Sequence, residues 1–191
     1  MHERTAQALL ALYSQVATLK LLPRTGWLQR GVAGAESVAE HTFGVLALAL
    51  FIGDTVAGLD RRKLLAIALL HDLAEATLSD LPTSARRVLG ADVKHAAERH
   101  SMEELVAQVP GGRDYMALWD EYAAGSSAEA RLVKGIDRLE TLAQALAYER
   151  AGNRNLGEFW EHAAQDWGDE FPILRAIAER LIALRTMNRE P

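Results

Sequence analysis

The chain of 191 residues contains no cysteine. Without cysteine it forms no disulfide bond and offers no thiolate to a metal ion. Any metal that the protein binds must therefore be held by histidine, aspartate and glutamate side chains. This restriction makes the positions of those three residue types the first thing to examine.

Long apolar runs are also missing. The longest is Val45–Ile52, which is far shorter than the roughly 20 residues that a membrane-spanning helix needs. The N-terminal residues 1–7 lack the basic and then apolar pattern of a signal peptide. We therefore expect a cytoplasmic protein that makes no contact with a membrane.

Positive charge is scarce, since 21 basic residues stand against 26 acidic ones and the net charge is −5. A surface that binds nucleic acid would carry an excess of basic residues, so nucleic acid is not an expected partner. The composition still allows a small anionic ligand that is bound by one or two arginines. With 49% apolar residues, the chain can bury one sizeable core, and residues 1–191 are expected to form a single domain.

Helical periodicity runs through nearly every segment, and no segment alternates as a strand does. The sequence predicts an all-α fold of about eight or nine helices. Capping boxes at residues 37–40 and 126–129 predict two helix starts. One continuous helix is expected from Asp60 to about Ala76, another over 156–167, and a loop over 22–36. The helix after Ser37 is apolar on all sides from Val45 to Ile52, so it should be central.

His71 and Asp72 interrupt the predicted buried helix that starts after Asp60. Burying a polar group without a partner costs about 2 kcal/mol or more, and a divalent cation would satisfy both side chains together. His41 and Asp137, on two other predicted helices, could complete its coordination. Two nitrogens and two oxygens suit Mn²⁺, Co²⁺, Fe²⁺, Ni²⁺ or Zn²⁺ and leave positions open for water and substrate. Taken singly, each histidine is more often a hydrogen-bonded core residue and each aspartate half of an ion pair.

Five sequence blocks carry a more specific signal, at residues 22–27, 36–41, 69–75, 79–82 and 126–130. In this order they resemble the YfbR-like HD-domain 5′-deoxynucleotidases, a family of metal-dependent phosphohydrolases, and within it the branch of HD domain-containing protein 2. The resemblance extends over about residues 5–185. It implies a compact helical HD domain, hydrolysis of (deoxy)nucleoside 5′-monophosphates, a divalent metal cofactor such as Mn²⁺, Co²⁺ or Mg²⁺, and a homodimer.

The resemblance also implies roles for single residues. His41, His71, Asp72 and Asp137 would bind the principal metal. Glu75 would be catalytic and, together with Asp80, would be linked to a second metal. The alternative for Glu75 is a solvated charge at a helix end, and the alternative for Asp80 is an N-cap or turn aspartate before Leu81-Pro82.

Four residues are predicted to contact the substrate: Arg24, Trp27, Asp80 and Thr83. A guanidinium at position 24 could bond phosphate oxygens, and an indole at position 27 could stack on a base. The alternative for Trp27 is an apolar side chain buried in the core. His95 and His100 are five positions apart on a polar helix, so they face different ways and are expected to be surface residues.

Two other readings of the function remain open from the sequence. One is another phosphohydrolase of the same superfamily, acting on nucleoside triphosphates, cyclic nucleotides or alarmones. The other is a catalytically silent regulator that binds nucleotides. The presence of all five residues His41, His71, Asp72, Glu75 and Asp137 favours an active enzyme over the second reading.

Overall fold

The structure is a computed structural model that describes residues 2–165 and 167–187, with only the backbone of Thr83 and Arg86. In this part of the chain there is no β-strand, and a single β-bridge joins Pro23 to Ser37. The all-α prediction is confirmed. The helices are α1 His2–Val16, α2 Thr25–Leu28, α3 Val38–Gly53, α4 Arg61–Leu70, α5 Glu75–Leu78, α6 Thr83–Leu89, α7 Ala91–Val106, α8 Gly112–Ala124, α9 Ala128–Arg150 and α10 Pro172–Met187.

Helix α9, the longest at 23 residues, lies against α3, α4, α8 and α10. Its apolar stripe is fully buried and supplies Ile136 and Leu139 to the main core, which also contains Val45 from α3 and Ile67 from α4. A second apolar cluster lies between α7, α8 and the chain around Leu70. Helices α3, α4 and α9 therefore pack together around the main core, and the predicted metal ligands lie on them or on the turn after α4.

The capping box predicted at residues 37–40 is confirmed at the start of α3. The box predicted at residues 126–129 is wrong, because the N-cap is one residue later and the position three residues on is Ala130, which has no acceptor side chain, although a helix does begin there. At α3, Glu40 N donates to Ser37 Oγ at 3.2 Å, and Ser37 N donates to Glu40 Oε2 at 2.6 Å. At α9 the N-cap is Ser127, whose hydroxyl accepts from Ala130 N. The Glu129 side chain instead accepts a hydrogen bond from the main-chain N of Asp60 at 2.8 Å.

The predicted continuous helix over 60–76 is wrong, because α4 ends at Leu70 and a turn carries His71 and Asp72. The main-chain N of Leu73 donates to Leu70 O, and that of Glu75 donates to Asp72 O, which are the shorter i to i+3 bonds of a tightened turn. The His71 ring donates from Nδ1 to Ala68 O at 2.8 Å, a carbonyl that a regular helix would offer to residue 72. A local side-chain bond thus competes with the helix where the polar residues begin.

Three further segments differ from the predicted pattern. Residues 22–36 include the single-turn helix α2, and residues 83–89 form α6, which was not predicted. The expected helix over 156–167 is reduced to a 3₁₀ turn at Gly157–Trp160. Trp160 and Trp167 are nevertheless buried, so the apolar residues that suggested a helix fill the core from irregular chain.

Helix α3 is central, but it is not buried on all sides as its sequence suggested. Val45 and Ala49 are fully buried, whereas Phe43 is 73% exposed and Phe51 is 69% exposed. Leu50 is exposed on the same side, since positions 43, 50 and 51 recur on one helical face. Among the described residues, no helix is long and apolar enough to cross a membrane.

Candidate metal centre

The four predicted metal ligands come together from three parts of the fold. His41 lies on α3, His71 and Asp72 lie on the turn after α4, and Asp137 lies on α9. The Nε2 atom of His41 lies 3.1 Å from Asp137 Oδ1 and 3.4 Å from His71 Nε2. Asp72 Oδ2 lies 3.2 Å from His71 Nε2 and 3.6 Å from His41 Nε2. Two nitrogens and two oxygens therefore face one point.

Both imidazoles are buried and are held through their other ring nitrogen. The Nδ1 atom of His71 donates to Ala68 O, and the Nδ1 atom of His41 lies 2.5 Å from Glu140 Oε2. In the neutral rings these bonds place the protons on Nδ1, so the two Nε2 lone pairs point at each other. Lone pairs at this distance repel unless a positive species lies between them, and a divalent cation meets that need with the four donors present.

The charges around the centre favour a positive species in the same way. Burial opposes protonation of His41, but hydrogen bonds with Asp137 and Glu140 outweigh it and raise its pKa to about 10. Burial opposes ionisation of Asp72, but the charge and hydrogen bond of His71, with the charge of Arg24, lower its pKa well below the usual range. A buried site with this imbalance of negative charge is suited to a cation.

Arg24 immediately precedes α2, and its side chain extends to the candidate metal centre. Its Nη1 atom lies 3.1 Å from Asp72 Oδ2, and its Nη2 atom donates to Thr141 Oγ1 at 3.4 Å. The main-chain N of Arg24 donates to Glu36 O at 2.9 Å, which fixes the backbone at the start of α2. The guanidinium is thus held beside the carboxylate of a predicted ligand, at the edge of the centre.

Glu75 begins α5 and is 6% exposed, which excludes the reading as a solvated helix-end charge. Its Oε2 atom is buried and has no hydrogen-bond partner among the described residues. Burial raises the pKa of Glu75 to about 9, and the negative charges of Asp72 and Asp80 add to this. A carboxyl group in this setting keeps its proton near neutral pH.

Asp80 accepts two hydrogen bonds from Thr25, in addition to lining the cleft. Its Oδ2 atom accepts from Thr25 N at 2.5 Å, and its main-chain oxygen accepts from the Thr25 hydroxyl at 2.7 Å. These two bonds join the segment after α5 to the first residue of α2. Asp80 therefore positions the segment that carries Arg24, and it also lines the cleft beside the candidate metal centre.

A cleft of about 530 Å³ contains these groups and has a volume in the range of small-molecule sites. Its inner wall is Arg24, His71, Asp72, Glu75, Asp80 and Asp137, and its outer wall comes from α7, α8 and α9 through Lys94, His95, Trp119, Tyr122 and Lys134. The described part of the chain thus has an opening from solvent to the metal centre.

The prediction that Trp27 contacts the substrate is wrong. Its side chain is 1% exposed, packs against the rings of Tyr148 and Phe159, and donates from Nε1 to Glu36 Oε1 at 2.9 Å. A base cannot stack on an indole whose surroundings are filled by protein. The alternative, an apolar residue of the core, describes Trp27. The side chain of Thr83, also predicted to contact substrate, lies outside the part that the structure describes.

We expect Trp27→Ala to lower the melting temperature by roughly 6–20 °C, because removing a large buried aromatic costs about 3–5 kcal/mol. Trp27→Phe, which keeps most of the apolar volume, should lose less. Differential scanning calorimetry measures both variants. An unchanged melting temperature together with a raised KM would restore the stacking interpretation.

Sequence reasoning missed three groups at the site. Glu140 is a buried carboxylate one turn after Asp137 on α9, and an acidic residue in a buried stripe was the available signal. Tyr122 donates to Asp137 Oδ2 at 3.5 Å. His95 is exposed as expected, yet its ring stacks on buried Trp119 at 5.6 Å and lines the cleft. Only the folding of α7 against α8 brings His95 there.

The chain matches the sequence profile of the HD domain family over residues 16–174. It is 34% identical, over 192 aligned residues, to the Bos taurus protein named 5′-deoxynucleotidase HDDC2, and the alignment covers 98% of this chain and 91% of the bovine protein. It is also 32% identical to the Schizosaccharomyces pombe protein named 5′-deoxynucleotidase hdd1, over 75% of each chain.

Solved structures with the same fold include one that is similar in sequence to this chain and one that is similar in fold alone. A conserved hypothetical protein from Pyrococcus furiosus superposes with a TM-score of 0.80 at 33% identity, covering 91% of this chain and 99% of that one. A protein from Magnetospirillum magnetotacticum, described as a predicted metal-dependent phosphohydrolase, superposes with a TM-score of 0.73 and covers 98% of this chain and 96% of its own; at 20% identity this likeness concerns the fold alone. The profile match and the close relatives lead to one conclusion: the chain belongs to the HD domain family.

Proposed function

We propose that the protein is a divalent-metal-dependent phosphomonoesterase that hydrolyses (deoxy)nucleoside 5′-monophosphates to nucleoside and phosphate. The observation that carries the proposal is a set of two buried histidines, His41 and His71, and two half-buried aspartates, Asp72 and Asp137, whose donor atoms converge at a cleft. Glu75 lines the same cleft, and its buried Oε2 atom has no hydrogen-bond partner among the described residues. The name 5′-deoxynucleotidase, borne by relatives from cattle and fission yeast, supports the choice of substrate.

His41, His71, Asp72 and Asp137 would hold the metal. A bound divalent cation supplies Lewis acidity, which polarises a phosphoryl oxygen and lowers the pKa of water. Mn²⁺, Co²⁺, Mg²⁺, Fe²⁺, Ni²⁺ and Zn²⁺ remain candidates, because imidazole and carboxylate ligands accept all of them to different degrees. Glu75 and Asp80, which line the same cleft, would take part in a second metal site.

Arg24 would bind the phosphate. Its guanidinium already lies beside Asp72 and stays protonated, since the charges of Asp72 and Asp137 hold its pKa above the ordinary value in spite of burial. A phosphate that enters the cleft would gain a charge-assisted hydrogen bond from the same group. Arg24 would also reduce the repulsion between an anionic substrate and the carboxylates of the centre.

Glu75 would supply the proton to the leaving group. As the P–O5′ bond breaks and the oxygen of water bonds to phosphorus, the 5′-oxygen needs a proton to leave as the nucleoside hydroxyl. A buried carboxyl with a raised pKa holds that proton in the cleft. In-line displacement needs little covalent assistance, so positioning and electrostatics would supply most of the rate.

We expect Arg24→Ala to lower kcat/KM by about ten- to more than a hundredfold, as follows from losing a charged hydrogen bond worth about 1.5–3 kcal/mol. Metal content should stay near that of the unchanged protein. Steady-state phosphate release with a deoxynucleoside monophosphate measures the effect.

Arg30→Ala is the matched control for Arg24. Arg30 follows in the same segment and pairs with Glu158 across the ring of Phe159, with no contact to the metal ligands. It should keep kcat/KM within a small factor. If Arg24→Ala behaves like Arg30→Ala with every nucleotide, the phosphate is held elsewhere, and Arg86 and Arg87 become the residues to test.

A phosphate-release screen tests the proposed reaction against its rivals. Nucleoside mono-, di- and triphosphates, cyclic nucleotides and an alarmone are each supplied with Mn²⁺, Co²⁺ or Mg²⁺. The proposal predicts turnover of monophosphates above all the others. Preference for triphosphates, cyclic nucleotides or the alarmone would assign the protein to another HD phosphohydrolase activity, and nucleotide binding without turnover would identify a silent regulator.

A homodimer formed through α3 is part of the proposal. Phe43, Leu50 and Phe51 expose a large apolar face, and exposed patches of this kind mark interfaces. We expect Phe51→Glu to shift the protein from dimer to monomer in light scattering, because a charge would be buried in the interface. Met187→Glu changes an exposed methionine on α10, and this variant should remain a dimer in the same measurement. A monomeric unchanged protein would contradict the proposal.

A further inference from the structure

A carboxylate that is not among the predicted ligands controls the orientation of one of them. Glu140 is buried on α9, one turn after Asp137, and its Oε2 atom lies 2.5 Å from His41 Nδ1. An ionised carboxylate has no proton to donate, so it can only be the acceptor of this hydrogen bond, and the ring is the donor through Nδ1. The opposite ring atom, Nε2, is then the one that faces Asp72, Asp137 and His71.

Helix α3 leaves space for this carboxylate at Gly44. A Cβ atom added to Gly44 would lie 2.8 Å from Glu140 Oε1 and 3.0 Å from its Cγ atom. Real Cβ contacts are essentially never shorter than 3.0 Å, so any other residue at this position would displace the Glu140 side chain. The glycine therefore allows α9 to place a carboxylate against a histidine of α3.

A second carboxylate supports the same proton position. One oxygen of Glu36, one of Glu140 and a ring nitrogen of His41 lie within 4.8 Å of one another. Glu36 is itself fixed, because Trp27 Nε1 donates to its Oε1 and its main-chain N donates to the Tyr148 hydroxyl at 2.7 Å. Oxygen acceptors on this side of the imidazole favour a proton on Nδ1, and the hydrogen bond from Trp27 to Glu36 connects that buried side chain to the candidate metal centre.

We infer that Glu140 is the positioning residue of the metal centre, that it fixes His41 as the Nδ1–H tautomer with Nε2 directed at the cation, and that Gly44 provides the space this requires. The inference rests on the proposed metal centre. It goes further by assigning a role to two residues outside the ligand set and to the network that reaches them through Glu36. Carboxylate partners of this kind orient metal-binding histidines and increase their basicity.

Calorimetric titration of metal-stripped protein with Mn²⁺ alone tests the role of Glu140. Losing such a partner typically weakens metal binding by 10- to 100-fold, and we expect Glu140→Ala to fall in this range. Glu140→Gln keeps an acceptor oxygen and should lose less than Glu140→Ala. Glu149→Gln is the control, since Glu149 is a buried carboxylate of the same helix that pairs with Arg185. The Glu149→Gln variant should have a lower melting temperature than the unchanged protein and the same affinity for Mn²⁺.

Gly44→Ala separates positioning from general stability. Alanine favours a helix over glycine, and the atoms that its Cβ meets belong to one side chain. We expect the melting temperature of the metal-stripped variant to stay close to that of the unchanged protein, while its affinity for Mn²⁺ falls by about tenfold or more, as for other losses of a histidine partner. A structural role for Glu140 alone would not produce this combination.

Nitrogen NMR of ¹⁵N-histidine-labelled protein loaded with Zn²⁺ reports the tautomer directly. The unchanged protein should show His41 protonated at Nδ1, and Glu140→Ala should lose this state. If the unchanged protein binds Mn²⁺ while Glu140→Gln, Glu140→Ala and Gly44→Ala bind it equally well, the inference is overturned and the metal centre stands. If the unchanged protein binds no divalent ion, the proposed function fails first. Loss of one of two bound ions in Glu36→Gln would overturn the inference by making this cluster a metal site.

Discussion

Glu75→Gln is expected to lower kcat by about 10²- to 10⁴-fold, the usual size of general acid–base assistance. The side chain keeps its shape and its place at the start of α5, but an amide does not transfer the proton that the leaving 5′-oxygen needs. The content of the principal metal, measured by elemental analysis, should not change, because Glu75 lies outside the set His41, His71, Asp72 and Asp137. Glu179→Gln, at an exposed glutamate on α10, should keep normal turnover.

The same substitution should change the pH dependence of stability in the metal-free protein. Burial, with the charges of Asp72 and Asp80, raises the pKa of Glu75 from 4.5 to about 9. Between these values the unfolded chain has released the proton while the folded one keeps it, so this group makes the free energy of unfolding fall as pH rises. Glu75→Gln removes that contribution.

We therefore expect the melting temperature of metal-free Glu75→Gln to exceed that of the unchanged protein at pH 8, and the difference to shrink towards pH 4. Scanning calorimetry across this range measures it. If the difference is the same at both pH values, Glu75 does not hold a proton in the fold. Near-normal turnover of the variant would show that another group carries the proton.

Asp137→Ala is the second change with a large expected effect, and it should abolish both metal binding and turnover. Removing it takes away the carboxylate oxygen that lies 3.1 Å from His41 Nε2, and with it one of the two anionic ligands of the site. Elemental analysis after exchange into chelator-free buffer should find the ion in the unchanged protein and not in the variant. Neutral imidazole binds metal, so lowering the pH should also release the ion.

Asp120→Ala is the control for Asp137→Ala. Asp120 lies on neighbouring α8 and pairs with Arg99 at the surface. It should lose neither metal nor activity, since exposed ion pairs are worth about 0–1 kcal/mol. Full turnover by metal-free Asp137→Ala would contradict the assignment of the centre.

Much of the site was visible in the sequence because its residues are improbable where they occur. His71 and Asp72 follow a buried apolar helix, and His41 follows a capping box, so their burial and need for partners could be deduced. The structure brings these residues and Asp137 together with their donor atoms facing one another. Deduction ended where two helices meet, because Glu140 and Gly44 only acquire meaning once α9 crosses α3.

Trp27 shows why the surroundings of a motif are harder to predict. A tryptophan in a glycine-rich segment is compatible with an exposed platform, and nothing local excludes it. The ring is buried because the remote residues Tyr148 and Phe159 close over it. The helix that ends before His71 is a second example, since the hydrogen bond from the His71 ring to Ala68 O competes with the main-chain bond that would continue the helix.

Phosphate release from a deoxynucleoside 5′-monophosphate by metal-stripped protein, before and after Mn²⁺ or Co²⁺ is added back, tests the central claim most directly. We expect no release without metal, and release that rises with occupancy of one tight site. Release that proceeds at full rate in the stripped protein, or none with any divalent ion present, would contradict a metal centre built from His41, His71, Asp72 and Asp137.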